Sequence, residues 1–114
     1  QPQLSVVSPK PGSQVAAGDW TLQLRLDDWP VLESSELGAG PHVVVQLDHQ
    51  EPQRIFATDS KGLISVSMPA LTPGSHHLSA FAALPWGEAA AGKHARIQWQ
   101  RYRGSTGNPS RART

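Results

Sequence analysis

The sequence predicts an all-β fold of about seven short strands in two sheets, an antiparallel β-sandwich. Apolar residues recur at alternate positions in most segments, the spacing that buries one face of a strand. Ten prolines and ten glycines separate these segments with turns, and no segment has the apolar period of an amphipathic helix. A parallel α/β fold is disfavoured because its strands would be continuously apolar. A small open barrel of roughly five or six strands is the alternative.

The first half of the chain predicts three strands. LSVVS (4–8) ends at the turn signal PKPG, DWTLQLRLD (19–27) alternates most clearly, and HVVVQLD (42–48) alternates again. The connection 28–41 is long for a hairpin, and its centre, LESSEL, could form one helical turn. The residues predicted to face the core in this half are Trp20, Leu22, Leu24, Leu26, Val43, Val45 and Leu47.

The second half predicts four more strands: RIFAT (54–58), LISVSM (63–68), HHLSAFAAL (76–84) and HARIQWQRY (94–102). The segment PWGEAAAGK (85–93) is predicted to be a loop. The residues predicted to face the core in this half are Ile64, Val66, Met68, Leu78, Ala80, Ala82, Ala95, Ile97 and Trp99.

The core-forming pattern ends at residue 102, which predicts a domain over residues 3–102 and a flexible basic tail over residues 103–114. Residues 1–92 hold four basic and nine acidic residues, whereas residues 93–114 hold six basic residues and no acid. Such a split predicts either a solubilising linker or a tail that contacts an anionic surface. The cations proposed for that contact are Arg101, Arg103, Arg111 and Arg113.

The composition excludes several classes of chemistry. The chain has no cysteine, which rules out disulfides, thiolate nucleophiles and cysteine-ligated zinc. No apolar run approaches the roughly 18 residues of a membrane span. Because the chain begins with Gln1 and not Met, we expect a mature or excised fragment. As a binding module, we expect it outside the cytoplasm, periplasmic or membrane-anchored and lumenal.

Four segments in order, VVSPKPGSQV, WTLQLRL, HVVVQLD and LTPGSHHLSAFA, resemble bacterial immunoglobulin-like and fibronectin type III-like domains. The stretch HHLSAFAALPWGEA is also similar to short uncharacterised cyanobacterial proteins of this type. The resemblance implies an immunoglobulin-like sandwich and a role as a spacer, adhesive or accessory module, while the fold alone implies no activity. The Cys–Trp–Cys spacing of antibody domains is absent.

Five histidines raise the question of a metal site, and their positions argue against one. His76 and His77 are adjacent in a strand, so their side chains leave on opposite faces. A pair of His42 and His77 would need neighbouring strands in a suitable register. The resemblance favours a structural role for His76, in which its ring packs at the corner before its strand and donates to a backbone carbonyl. We therefore predict no metal and no cofactor.

The sequence also lacks the motifs of an enzyme. There is no G-x-S-x-G elbow and no phosphate-binding glycine loop. Glu33 and Glu36 lie in a loop without an acid–base partner, and the segment DDWPVLESSE lacks the ligand spacing of calcium loops. We expect a protein without catalytic activity.

Two of the four tryptophans lie in predicted loops, each beside a proline: Trp29 in DWP and Trp86 in PWGE. An indole in a loop either caps the end of a sandwich or presents an apolar face to a partner. We predict a module that binds another protein through loops 28–41 and 85–93, with Glu88 as the polar companion of the indoles. The alternatives are a carbohydrate-binding module that uses the loop tryptophans and a periplasmic metal-binding domain. Nucleic acid is not an expected partner.

Overall fold

The computed structural model describes residues 2–29, 42–56 and 61–105, and within them the chain is all-β. A short 3₁₀ helix, Lys93–Ala95, precedes the last strand. Among the described residues, no helix has the length and apolar character needed to cross a membrane. The strands are β1 Gln3–Ser8, β2 Gln14–Val15, β3 Trp20–Asp27, β4 His42–Leu47, β5 Gln53–Ile55, β6 Leu63–Met68, β7 Gly74–Ala83 and β8 Arg96–Gly104.

The strands form two sheets that enclose one core. The three-stranded sheet has the order β1-β3-β6, and the five-stranded sheet has the order β2-β8-β7-β4-β5 and is curled like half a barrel. Strand β2 pairs with β8 in parallel, and the other strand pairs are antiparallel. The chain therefore passes from one sheet to the other between β1 and β2. The sequence did not predict β2, because a strand of two residues is too short to show alternation.

The alternation in β3, β4, β6 and β7 correctly predicted which residues form the core. Leu22, Leu24 and Leu78 have no exposed surface, and the other residues predicted to face inward from these strands are buried, except for the partly exposed Trp20. Burial of such side chains is the main stabilising term in folding, roughly 25 cal/mol per Å² of apolar surface. The two sheets thus share a continuous apolar layer between them.

Strand β4 is buried on both faces, which the predicted alternation did not include. His42 and Val44 point away from the main core and are nevertheless buried. The His42 ring lies 4.6 Å from that of Phe56, between ring centroids. Residues 57–58 of the predicted RIFAT strand and residues 30–41 of the predicted long connection, with its helical turn, lie outside the described residues.

Strand β8 differs from the prediction because it contains a β-bulge. Leu78 pairs with Gln100 whereas Ala80 pairs with Ile97, so β8 has one more residue than β7 between these pairs. One extra residue reverses the alternation beyond it. Trp99, predicted to face the core, is therefore 48% exposed.

Beyond the bulge, Tyr102 takes an inward position on β8 that the sequence did not assign to it. The ring is fully buried, and its hydroxyl donates to the Pro9 carbonyl at 2.7 Å. Burial raises the pKa of Tyr102 to about 12. This hydrogen bond ties the last strand to the segment where the chain passes between the sheets.

The boundary predicted after residue 102 falls inside β8. Arg101 and Arg103 are strand residues paired with His77 and Ser75, and the backbone N–H of Arg103 also donates to the Ser13 carbonyl. Both arginines therefore belong to the sheet and not to a tail. Arg111 and Arg113 lie outside the described residues.

Candidate binding surface

The predicted loop after β7 is a tight hairpin whose tip, Leu84–Glu88, we call the hairpin tip. The Leu84 N–H donates to the Glu88 carbonyl at 2.8 Å, and the Gly87 N–H donates to the Leu84 carbonyl at 2.7 Å. Pro85 fixes one backbone angle of the turn, and Gly87, with φ 98°, adopts a conformation that glycine takes at low cost. The sequence PWG therefore specifies a compact turn.

Trp86 stands at this hairpin tip with 71% of its surface exposed. Its indole Nε1 donates to Glu88 Oε1 at 3.0 Å. The hydrogen bond joins the polar edge of the indole to Glu88 across the turn, while the apolar face of the ring stays in contact with water. The structure thus brings together two of the three loop residues that the sequence singled out.

The third loop residue predicted for the binding site, Trp29, does not form part of the same surface as Trp86 and Glu88. Its indole is half-buried and packs against the hydrophobic core. Its Nε1 is buried and has no hydrogen-bond partner among the described residues. Trp29 therefore contributes to the end of the core, the capping role that a loop indole can take.

The hairpin tip borders a groove on the outer face of the five-stranded sheet. A Cβ placed on Gly87 would lie 3.4 Å from Arg54 Nη2, so the guanidinium of β5 lies against the tip. The groove has a volume of about 270 Å³. It is lined by Val44, Glu51, Pro52, Arg54, Phe81 and Gly87. The sequence missed Arg54 and Phe81, since only the strand order brings β5 and β7 close to the tip.

A second cluster of polar side chains lies at the start of β7. His76 Nδ1 lies 2.7 Å from Asp48 Oδ2, and His76 Nε2 lies 2.8 Å from the Thr72 carbonyl. The other carboxylate oxygen, Asp48 Oδ1, accepts from the backbone N–H of His77 at 2.8 Å. The expected contact of the corner histidine with a backbone carbonyl is confirmed, whereas the partnership with Asp48 was not foreseen.

The pKa shifts of this cluster follow from its hydrogen bonds. The hydrogen bond to Asp48 raises the pKa of His76 above its usual value of 6.5, against the opposing effect of burial. Burial acts to raise the pKa of Asp48, but the hydrogen bonds from His76 and His77 outweigh it and hold that pKa below 3.8. The pair is therefore most favourable with both groups charged.

The histidines do not combine into a metal site. In the register of β4 and β7, His42 pairs with Ala83 and Leu47 pairs with Leu78, so His42 and His77 lie at opposite ends of the strand pair. Their separation of about 20 Å, at roughly 3.3 Å per residue, excludes binding of one ion by both. Among residues 2–29, 42–56 and 61–105, no three His, Cys, Asp or Glu side chains form a group that could hold a metal ion.

Comparison with known proteins gives a likeness of fold alone. The chain matches no protein-family profile and no curated protein sequence. Among solved structures, it is similar to the crystal structure of an engineered protein, with a TM-score of 0.60 and 15% sequence identity. The similarity covers 92% of this chain and 20% of that one, so the chain spans about a fifth of its neighbour's length. Identity this low transfers no function.

Proposed function

We propose that the chain is an immunoglobulin-like sandwich domain and that it acts as a non-enzymatic module that binds another protein. The strand order supports the first part. With the strands lettered A, A′, B, C, C′, E, F and G in chain order, the sheets read A-B-E and A′-G-F-C-C′. This resembles the arrangement of variable-type immunoglobulin domains, in which the G-F-C sheet is extended by C′.

The corner at His76 supports the same fold. In immunoglobulin-like domains, a tyrosine near the start of strand F donates to the backbone a few residues upstream. Here His76, near the start of β7, contacts the carbonyl of Thr72, four residues upstream. This contact resembles the one that the corner tyrosine makes in that family, which supports the proposed fold.

The binding function rests on one observation, the exposed indole of Trp86 held by Glu88 at the end of a tight hairpin. Tryptophan and arginine are enriched among the residues that dominate protein–protein binding energy, and a side chain ordered in advance loses less entropy on binding. Arg54 lies beside the tip, and the adjoining groove offers apolar surface from Val44 and Phe81. The Trp86 indole and the apolar groove can thus bind an apolar side chain of a partner, with the Arg54 guanidinium beside them for polar contacts.

A sugar platform built from both loop tryptophans is less well supported. Such a platform needs two accessible indole faces, and Trp29 packs against the core. The hairpin tip therefore offers a single aromatic anchor, which suits insertion into a pocket of a protein partner.

The proposal is tested by photo-crosslinking in a lysate of the source organism. A photo-reactive phenylalanine analogue replaces Trp86 in one variant and the exposed Thr21, on the outer face of the other sheet, in a second. We expect a discrete partner to crosslink at position 86 and not at position 21. Mass spectrometry identifies it, and the purified partner then serves for affinity measurement.

With that partner, W86A should weaken binding at least about tenfold, the effect of truncating an anchor residue. T21A, which removes an exposed side chain from the opposite sheet, should bind as the unaltered domain does. Equal crosslinking at both positions, or equal affinity of W86A and the unaltered domain, would contradict a binding site at the hairpin tip.

A further inference from the structure

The outer face of β8 has a row of cations that does not include the residues of the hairpin tip. Arg96, Arg101 and Arg103 are exposed and point away from the core, and Trp99 lies between them. Alternate residues on a strand are about 6.6 Å apart, so Arg101 and Arg103 are neighbours on one face. We call these four residues the β8 basic strip.

The bulge in β8 is what places an aromatic side chain in this strip. With regular pairing, Trp99 would face the core like Ile97. The extra residue turns it outward, although burial of an indole would stabilise the fold. Bulges commonly redirect a side chain towards a functional surface, and this one orients the largest side chain of β8 into solvent.

The charge of the strip is not neutralised within the part of the chain that the structure describes. None of its three guanidinium groups forms an ion pair with a described carboxylate. Asp48 lies close to Trp99, with which it lines a common groove, but it is already engaged by His76 and His77. The strip therefore presents three positive charges to any ligand.

Open grooves lie on two sides of Trp99. One, of about 350 Å³, is lined by Ser79, Ala80, Phe81, Ala89, Arg96, Ile97, Gln98 and Trp99. The other, of about 250 Å³, is lined by Asp48, His49, His77 and Trp99. The indole thus separates two grooves that both contain hydrogen-bonding groups. The first contains the Ser79 hydroxyl and the Gln98 amide, and the second contains the side chains of His49 and His77.

We propose that the β8 basic strip binds an anionic polysaccharide, with a sugar ring against Trp99 and carboxylate or sulfate groups paired with the arginines. A guanidinium forms bidentate, charge-assisted hydrogen bonds with such planar or multi-oxygen anions. The amide and hydroxyl groups beside the indole match the hydroxyls of a sugar. This ligand would occupy the β8 side of the outer face of the five-stranded sheet, whereas the protein partner would occupy the hairpin tip. The grooves of the two sites adjoin at Phe81, which lines both.

A nucleic-acid strand fits the same surface less well. Sequence-independent binding of single strands uses several accessible aromatic rings on which successive bases stack. The strip has one exposed ring, and the neighbouring Phe81 is half-buried. Nucleic-acid-binding domains typically have a pI above ~9, and the pI of this sequence is lower, about 8.5.

The test is a titration of the domain at low ionic strength with four polymers: polygalacturonate, dextran sulfate, uncharged dextran and a single-stranded oligothymidylate. Calorimetry reports the affinity. We expect binding of one or both anionic polysaccharides and none of dextran. The carboxylated and sulfated polymers distinguish the two sources of negative charge. Binding should weaken as salt is added, because ion pairs with exposed arginines are screened.

Two variants with the same loss of charge locate the site. R96Q/R101Q removes two cations from the strip, and R25Q/K61Q removes two from the region of β3 and β6. We expect the first to weaken binding on the order of tenfold or more and the second to change it less than about twofold. W99A should weaken binding on the order of tenfold while the strip keeps its charge. Circular dichroism checks that each variant is folded.

Several results would overturn the proposal. These are no binding of either anionic polysaccharide, equal weakening by R96Q/R101Q and R25Q/K61Q, or an unchanged affinity of W99A. Tighter binding of the oligothymidylate than of the polysaccharides would assign the strip to nucleic acid instead. A W86A variant that still binds the polysaccharide separates this site from the hairpin tip.

Discussion

His76 occupies a position where both ring nitrogens face acceptors. Nδ1 lies against the Asp48 carboxylate and Nε2 against the Thr72 carbonyl, so the imidazolium form, which donates from both nitrogens, satisfies both. The Thr72 hydroxyl, 3.2 Å from Nε2, can donate to the neutral ring. The side chains of His76 and Asp48 are 15% and 30% exposed, so solvent screens the pair only in part.

This geometry predicts a stability that depends on pH. The pKa of His76 is raised in the folded state, so its contribution is complete below pH 6.5 and is lost as the pH rises through the folded pKa. The pKa of Asp48 is lowered, so its contribution is present above pH 3.8 and is lost as the pH falls through the folded pKa. The pair should stabilise the domain most between these limits.

Urea unfolding of the unaltered domain and of H76Q at pH 5.5 and pH 8.5 measures this effect. We expect H76Q to lower the free energy of unfolding at pH 5.5 by on the order of 1 kcal/mol, and by less at pH 8.5. H77Q, which alters the exposed neighbouring ring, is the control and should keep the pH dependence. If H76Q lowers the free energy of unfolding by the same amount at both pH values, the His76–Asp48 pair is not the source of the pH dependence.

At the scale of the element, β8 shows how one extra residue changes which side chains of a strand face the core. Its alternation is regular to Ile97, and the bulge then exchanges the faces, so that Trp99 points outward and Tyr102 inward. The strand ends at Gly104, opposite the corner before β7. A Cβ on Gly104 would lie 2.0 Å from the Thr72 carbonyl oxygen and 2.8 Å from the Thr72 carbonyl carbon, so this close approach requires glycine.

The contact predicts that G104A destabilises the domain by about 2 kcal/mol, because the clash is with backbone atoms that can move only together with the corner. G12A is the matched control. Gly12 has φ 87° and nothing within 4 Å of a Cβ, so its replacement should cost only about 1 kcal/mol of conformational strain. Thermal unfolding gives both values. A smaller loss for G104A than for G12A would refute the steric explanation.

At the scale of the whole molecule, stability depends on the apolar layer shared by the two sheets. Leu24 lies in the central strand of the three-stranded sheet, pairs with Val6 and Ile64, and has no exposed surface. Its side chain belongs to the core cluster, which contains residues of both sheets. Domains of this size have only about 5–15 kcal/mol of stability, so a single central residue matters.

We expect L24A to lower the free energy of unfolding by about 3 kcal/mol, through lost burial and the cavity left behind. The melting temperature should fall by more than about 10 °C. T21A, on the exposed face of the same strand, should change the free energy of unfolding by less than about 0.5 kcal/mol. Comparable losses in the two variants would mean that the sheets do not pack through the inward face of β3.

The sequence by itself determined the local structure: the strand class, the inward residues of β3, β4, β6 and β7, and a connection without a strand after residue 84. These features depend on residues close together in the chain, where period-two burial and the backbone preferences of proline and glycine act directly. The corner role of His76 was predicted from the resemblance to immunoglobulin-like domains, and its carbonyl partner lies only four residues away in the chain.

Only the tertiary structure decided which strands neighbour one another, and therefore which side chains form each surface. The pairing of β2 with β8, the bulge that exposes Trp99, the contact of Asp48 with His76 and the approach of Arg54 to the hairpin tip all join residues distant in sequence. Alternation is the same whichever neighbour a strand takes, and a single extra residue reverses it. The candidate surfaces depend on that choice of neighbour and register, which the pattern within one strand does not specify.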